Sequence, residues 1–501
     1  MKRSGEGGDV SDDQNPAPAP QASKSAELKA PRTNRRHQRL IDDVRFIFAE
    51  VRRLNGLDLK DIPQDDVWFD LPSPSGAGGV VICGRAAARR LEGLAEEAGQ
   101  RAGLSRRVSL RSLREPLAEL IVQRFAREGR PLDGQQIDRV LVAAGKAAEK
   151  TCVDLRHLLP CHLMLAQDPN EIPMGPVTFR NRKAMRRLLL ERSRARLSEP
   201  DESPQKRAFG RRLMADALRY YRAFNWIAEV EIKRCEPEIS ATLAQAAVTS
   251  ALDGLHLILS ADHTDRMRVG GPALRRDNRA KLTIDPSGQI SPSLSLDGPG
   301  QVEFPDGWSS RLADPYYQRP LELCAIALEA AVDPDLERPL SRRFLDAAQW
   351  FGEAARDGSP STRVVKYVTA LERMLTTEER DDITAMVSTR LAALCFDQVS
   401  AESREAWRLK AVAAYDLRSK LVHGSMSPRD PKVWRGVALG AELGEAALLC
   451  ALNGLGEEGL RLETMSSRRL GRWYDEVIAW SDRMIETQGA RPPSVAPSQA
   501  D

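Results

Sequence analysis

No run in this sequence approaches the roughly 18 consecutive apolar residues of a membrane span, and no apolar stretch follows Lys2 and Arg3. Those two absences argue against a membrane helix and a secretory leader, so a cytoplasmic protein with no membrane partner is the expectation. The seven cysteines, scattered from Cys83 to Cys450, are odd in number and lack a framework spacing, which fits reduced thiols better than disulfides. A strong charge of one sign is missing too. The net charge of +3 does not mark a nucleic-acid binder by itself, and local clustering has to decide. The Gly-rich PSPSGAGG at 72–79 lacks the Gly-Lys-Ser/Thr ending through which a phosphate loop reaches phosphate and magnesium, and reads as a plain loop. Aromatics are sparse, at 5%.

Apolar residues at 42% and charged residues at 29% are the proportions of a globular protein. At about 100 to 200 residues per domain, the length suggests two to four domains. Residues 1–38, with PAPAP at 16–20, lack the apolar side chains that offset ordering entropy and read as a disordered basic tail. The tail ends in Arg32, Arg35, Arg36, His37 and Arg39, which suit either a solvated helix start or contact with RNA phosphates. Residues 39–200 form a mostly helical region with a short strand at VVICG, residues 80–84. Residues 205–312 add two long helices, one running through LMADALRYYRAFNWIAEVEIK, and a small β-hairpin in AKLTIDPSGQISPSLSL. Residues 488–501 read as a second tail.

From 315 to 487 the helical signal is almost continuous. Helices are expected near 319–332, 341–356, 361–376, 382–398, 402–422, 431–453 and 469–486. Val364, Val368, Leu371 and Leu375 line one of them, and Ile383, Val387, Leu391 and Leu394 the next, each at the helical period. Asp430-Pro431 supplies an N-cap and first-turn proline, and Gly424 suits the end of the preceding helix. The fold class is therefore mainly α, with a C-terminal helical bundle and a minor β element.

The chain contains six histidines, and three of them follow an arginine with four to six residues between. In an arginine-rich chain such spacing is close to chance. The pair Arg32 and His37 lies in the expected tail, and Pro160 interrupts Arg156 and His162. Only Arg418 and His423 sit on a long amphipathic helix, ESREAWRLKAVAAYDLRSKLVHG, where packing can preorganise a site. The residue types suit phosphoryl transfer. Histidine exchanges protons near neutrality, and a guanidinium offers forked donors to a charged phosphoryl group.

The segment YDLRSKLVHG resembles the Apea-like branch of the HEPN ribonuclease superfamily, as do KYVTALERML at 366–375 and STRLAALC at 388–395. The likeness covers about 170 residues, a third of the chain. A weaker one, in LLPCHLML and EIPMGPVTF, is to the region upstream of such domains. The resemblance implies metal-independent RNA cleavage without a cofactor. The ribose 2′-OH attacks the adjacent phosphate, leaving a 2′,3′-cyclic phosphate and a 5′-OH, in a homodimer whose copies share a cleft. It implies Arg418 and His423 as catalytic residues, with Glu372 orienting the arginine. In support, Ser419 directly follows Arg418, and Tyr415 and Arg390 suit either the lining of the cleft or packing and surface positions of the bundle. Family members commonly act in antiphage defence or as toxins. The alternative is a non-catalytic HEPN-like module that binds nucleotide, RNA or protein.

Two other constellations stand out. Cys152, His157, Cys161 and His162 include zinc-binding residue types, but their spacing matches no common zinc module, and a buried helix-turn-helix junction around Pro160 is expected instead. No metal site is expected. The densest basic patch, FRNRKAMRRLLLERSRARL, holds Arg180, Arg182, Lys183, Arg186 and Arg187 and suits either RNA backbone contact or a solvated helix face. It lacks interleaved aromatics for base stacking.

Overall fold

The computed structural model describes residues 32–57, 69–74, 79–163, 169–197, 204–270, 277–284, 290–297, 312–377, 382–396 and 400–487. Helices dominate and the sheets are small. The chain divides into two compact units, one of residues 1–94 and 117–141, the other of 95–116 and 142–501. The expected tails at 1–31 and 488–501 lie outside the described residues.

In the first unit, helix α1 (Arg32–Leu54) buries Leu40, Val44, Ile47, Val51 and Leu54, a stripe at the helical period. The expected tail thus gives way to helix seven residues early. His37 is tied by its Nε2 to Asp138 Oδ2 at 2.9 Å, and Gly134 leaves room for its ring. Strands β1 (Phe69–Pro72) and β2 (Val80–Ile82) pair antiparallel, so VVICG does begin with a strand. Helices α2 (Gly84–Ala102), α3 (Leu110–Ile121, closing in a π turn) and α4 (Gly134–Glu149) follow, each with part of its length in either unit.

The second unit contains a five-stranded antiparallel sheet, ordered β4-β5-β6-β3-β7. Its strands are β3 (Val153–His162), β4 (Glu171–Met174), β5 (Val177–Asn181), β6 (Trp226–Cys235) and β7 (Arg268–Val269), with helices α5 (Arg182–Leu197) and α6 (Pro204–Tyr221) between β5 and β6. This sheet corrects two expectations. Residues around Pro160 are a strand, not a helix-turn-helix junction. The proline is accommodated opposite Ile227, and its carbonyl accepts from Gly270 N–H at 2.7 Å. The helix read through LMADALRYYRAFNWIAEVEIK ends at Tyr221. Beyond it Ala228, Val230 and Ile232 are buried while Glu231 and Lys233 are exposed, the period of two that a strand imposes.

Helix α7 (Pro237–Ile258) packs on this sheet and on the bundle, so one continuous core runs through both. After the short α8 (Ala261–Thr264), strands β8 (Asp277–Ile284) and β9 (Ile290–Asp297) form the expected hairpin. The bundle is α9 (Pro315–Val332), α10 (Pro339–Arg356), α11 (Pro360–Leu375), α12 (Ile383–Leu394), α13 (Ala401–Val422), α14 (Pro431–Arg461) and α15 (Ser467–Thr487). Each coincides with an expected helix to within a few residues at its start. Val364, Val368, Leu371, Leu375, Val387 and Leu391 are all buried, but Ile383 in the first turn of α12 is exposed.

Among the described residues α14 alone is long and apolar enough to cross a membrane, and 56% of its apolar window is buried within the protein. Its close packing depends on three glycines spaced by four. A Cβ at Gly436 would lie 2.0 Å from Leu417 Cδ2, one at Gly440 3.0 Å from Tyr367 Cβ, and one at Gly444 2.7 Å from the Phe351 ring. Helix propensity favours Gly444→Ala by about 1 kcal/mol. Phe351 is fully buried, however, and overpacking costs about 1–3 kcal/mol. Gly444→Ala should therefore lower the apparent Tm; a rise would show that the ring can give way.

Candidate active site

Helix α13 carries the residues singled out in the sequence. Ser400 caps its start, accepting from Ser403 N–H at 3.1 Å. At its other end His423 is the C-cap, its N–H donating to Ser419 C=O at 2.9 Å, and Gly424 follows with φ +73°. That left-handed conformation suits glycine and stops the helix. Asp430 then caps α14, accepting from Lys432 N–H at 2.8 Å, with Pro431 in the first turn.

Tyr415, Arg418 and Glu372 come together between α13 and α11. Arg418 Nη2 lies 3.8 Å from Glu372 Oε1, with the two side chains 30% and 24% exposed. A contact of that length and exposure contributes about 1 kcal/mol at most, so Arg418 is not needed as a clamp on the fold. Its Nε is buried without a hydrogen-bond partner among the described residues, and the Tyr415 hydroxyl is buried beside the Glu372 carboxylate. Burial, reinforced by the Glu372 carboxylate, pushes the Tyr415 pKa far up, so the phenol stays protonated. Ser419 and His423 are exposed.

Along an ideal helix, residues five apart are offset by about 140° and about 7.5 Å. Arg418 faces Glu372 and His423 faces solvent, in line with that offset, and one copy of α13 does not aim both at one phosphate.

Arg390 bonds to other residues. It is 3% exposed, and its Nη1 donates to Leu375 C=O at 2.5 Å and to Thr377 Oγ1 at 3.1 Å, with the guanidinium 4.6 Å from the centre of the Tyr474 ring. It closes the C-terminus of α11 from inside the core.

The basic patch is divided. Arg180 lies on β5, bonded to Glu229 Oε2 at 2.8 Å and to Glu171, so its charge is compensated. Arg182 opens α5 and donates to Arg222 C=O. Lys183 and Arg186 are exposed on α5, and Arg187 belongs to the same helix. The cysteine and histidine quartet does not converge. His157 Nε2 is 2.7 Å from Ser240 Oγ, Cys161 is buried, and burial takes the His162 pKa down to about 4. All seven cysteines are free thiols.

A buried cluster on α7 escaped the sequence reading. Asp253 accepts from Arg356 Nη1 at 2.6 Å, and its Oδ2 has no partner among the described residues. His256, one turn on, has Nδ1 2.6 Å from Thr264 Oγ1. An aspartate and a histidine inside the apolar run SALDGLHLILS were a legible signal. Burial, opposed by Arg356, raises the Asp253 pKa to about 7, whereas burial drives that of His256 well below the usual histidine range.

Because Asp253 binds its proton more tightly in the folded state, its contribution to stability is complete below about pH 4 and is lost as pH rises through about 7. His256 acts oppositely, its contribution fading as pH falls below the ordinary histidine range. Relative to wild type, Asp253→Asn should therefore gain stability steadily between pH 4 and 7. Parallel Tm-against-pH curves would show that Asp253 keeps an ordinary pKa.

Comparison with protein-family models, curated proteins and solved structures returns no match.

Proposed function

We propose that the chain is a metal-independent endoribonuclease of HEPN type, acting in the cytoplasm as a homodimer. The observation that carries this reading is the end of α13. There a half-buried arginine is set beside a carboxylate and a buried phenol, and an exposed histidine caps the same helix. Two features support the reading: Arg418 lies beside Glu372, as the resemblance implies, and His423 is open to solvent at the end of the same helix.

In the proposed reaction the ribose 2′-O attacks phosphorus, the P–O5′ bond breaks, and the 2′-OH proton leaves as the 5′-oxygen gains one. His423 exchanges these protons, acting as general base or acid, and Arg418 neutralises charge on the non-bridging oxygens. Since one copy separates the two side chains around the helix, the dimer would bring Arg418 of one copy against His423 of the other across a two-fold axis. A defence or toxin role fits such an activity, with Lys183, exposed on α5, a candidate for RNA backbone contact.

The test is incubation of the full chain with total RNA in EDTA, followed by analysis of the ends. Fragments with 2′,3′-cyclic phosphate and 5′-OH ends support the proposal. Intact RNA, or 3′-OH ends, would overturn it. The exposure of His423 also favours a second reading, in which the bundle only dimerises or binds; RNA retained intact by the protein is the outcome that supports it.

A further inference from the structure

A cavity of about 490 Å3 lies between α5, α6 and β6, lined by Arg182, Arg186, Leu189, Leu190, Leu218, Tyr221, Arg222 and Ile227. None of these belongs to the α13 site. We infer that it is a binding site for a small organic phosphate, a phosphomonoester carried on a planar or apolar body.

The lining has two chemistries. Arg182 and Arg186, four apart on α5, share a helix face, and Arg222 follows the last turn of α6. Three arginines therefore share the lining, Arg182 with its guanidinium donating to Arg222 C=O, and no carboxylate is in it. Arginine's planar fork matches phosphate oxygens, and like charges brought together favour an anion between them. The rest is apolar. Ile227 is fully buried on β6, and Leu189, Leu190 and Leu218 make the walls. Tyr221 donates its hydroxyl to Leu158 C=O, which holds the ring in place.

The volume falls within the roughly 300–1,000 Å3 of small-ligand pockets. An RNA strand calls for a row of stacking aromatics along a basic groove, whereas here a single tyrosine lines a half-open cleft. The helix that closes the cavity is itself informative: none of the 18 residues of α6 is buried. A ligand seated against Leu218 and Tyr221 would add the contacts that α6 otherwise makes to little.

Calorimetric titration of the full chain decides this, using the four nucleoside 5′-monophosphates, dodecyl phosphate, adenosine and inorganic phosphate. Saturable binding of a nucleoside monophosphate or of dodecyl phosphate is expected, with adenosine and inorganic phosphate at least ~10-fold weaker. Which of the two binds identifies a planar or an aliphatic body. Arg186→Ala and Arg222→Ala, both exposed in the unliganded chain, should each weaken binding at least ~10-fold with an unchanged Tm. Hydrogen exchange in 204–221 should slow on binding. The inference is overturned if no phosphomonoester binds at millimolar concentration, if both variants bind like wild type, or if an oligoribonucleotide binds there and monophosphates fail to compete. None of these readouts depends on Arg418 or His423, so failure here leaves the RNA-cleavage proposal standing, and the reverse holds.

Discussion

If the proposed mechanism holds, Arg418→Ala and His423→Ala should each lower RNA cleavage by at least ~100-fold, with the Tm of either variant close to that of wild type. The size follows from the assigned roles. Losing a positioned general acid or base costs about 100- to 10,000-fold, and losing a donor to a charged transition state costs a comparable factor. The unchanged Tm follows from where the residues sit. His423 is exposed and serves the fold through its backbone N–H, which alanine keeps. Arg418 makes one long ion pair to a partly hydrated Glu372, worth about 1 kcal/mol at most. Full cleavage by either variant would remove that residue from the mechanism. A collapse of Tm with loss of cleavage would place it in the fold.

Arg390→Ala should give the opposite pattern, a large fall in Tm with any cleavage per folded molecule unchanged. Helix α11 ends at Leu375, and its last carbonyls have no partner within the helix. Arg390 donates to the Leu375 carbonyl from inside the core, placing positive charge at the negative end of the helix dipole. Its guanidinium also stacks over Tyr474, whose hydroxyl donates to Met374 C=O at 2.8 Å. Truncation leaves a buried carbonyl unpaired and removes a desolvated cation–π contact, together on the order of 3 kcal/mol. A variant that keeps its Tm but loses cleavage would place Arg390 in the cleft, the other position its sequence context allowed.

Arginines 390 and 418 also show what one sequence can reveal. Both lie on amphipathic helices whose apolar stripes are plain, so the bundle was readable from Pro315 onward. The direction each guanidinium takes depends on neighbours distant in the chain, Tyr474 for one and Glu372 for the other. Only the second was anticipated, through the likeness of ALERML rather than through any spacing. The caps at Gly424 and Asp430 were readable because they are local: a positive φ and a side-chain bond to the helix's own N–H need no tertiary information.

The sheet was not readable for the same reason. In AFNWIAEVEIK, Trp226 and Ile227 sit four and three residues before Val230, a helix-like interval, and α6 immediately before it supplied a true helical pattern to extend. What separates the two is pairing with β3 and β5, which the sequence does not display. Pro160 argued for a break, yet a strand residue that has no N–H to offer is tolerated where its own carbonyl is used, here by Gly270.

The central claim is that Arg418 and His423 from paired copies of α13 cleave RNA together. Co-expression of Arg418→Ala and His423→Ala chains tests it most directly. If each site takes its arginine from one copy and its histidine from the other, half of the dimers are mixed and each has one intact site, restoring about a quarter of wild-type cleavage in EDTA. A mixture as inactive as either variant alone, at a dimer population confirmed by native mass measurement, would contradict the account.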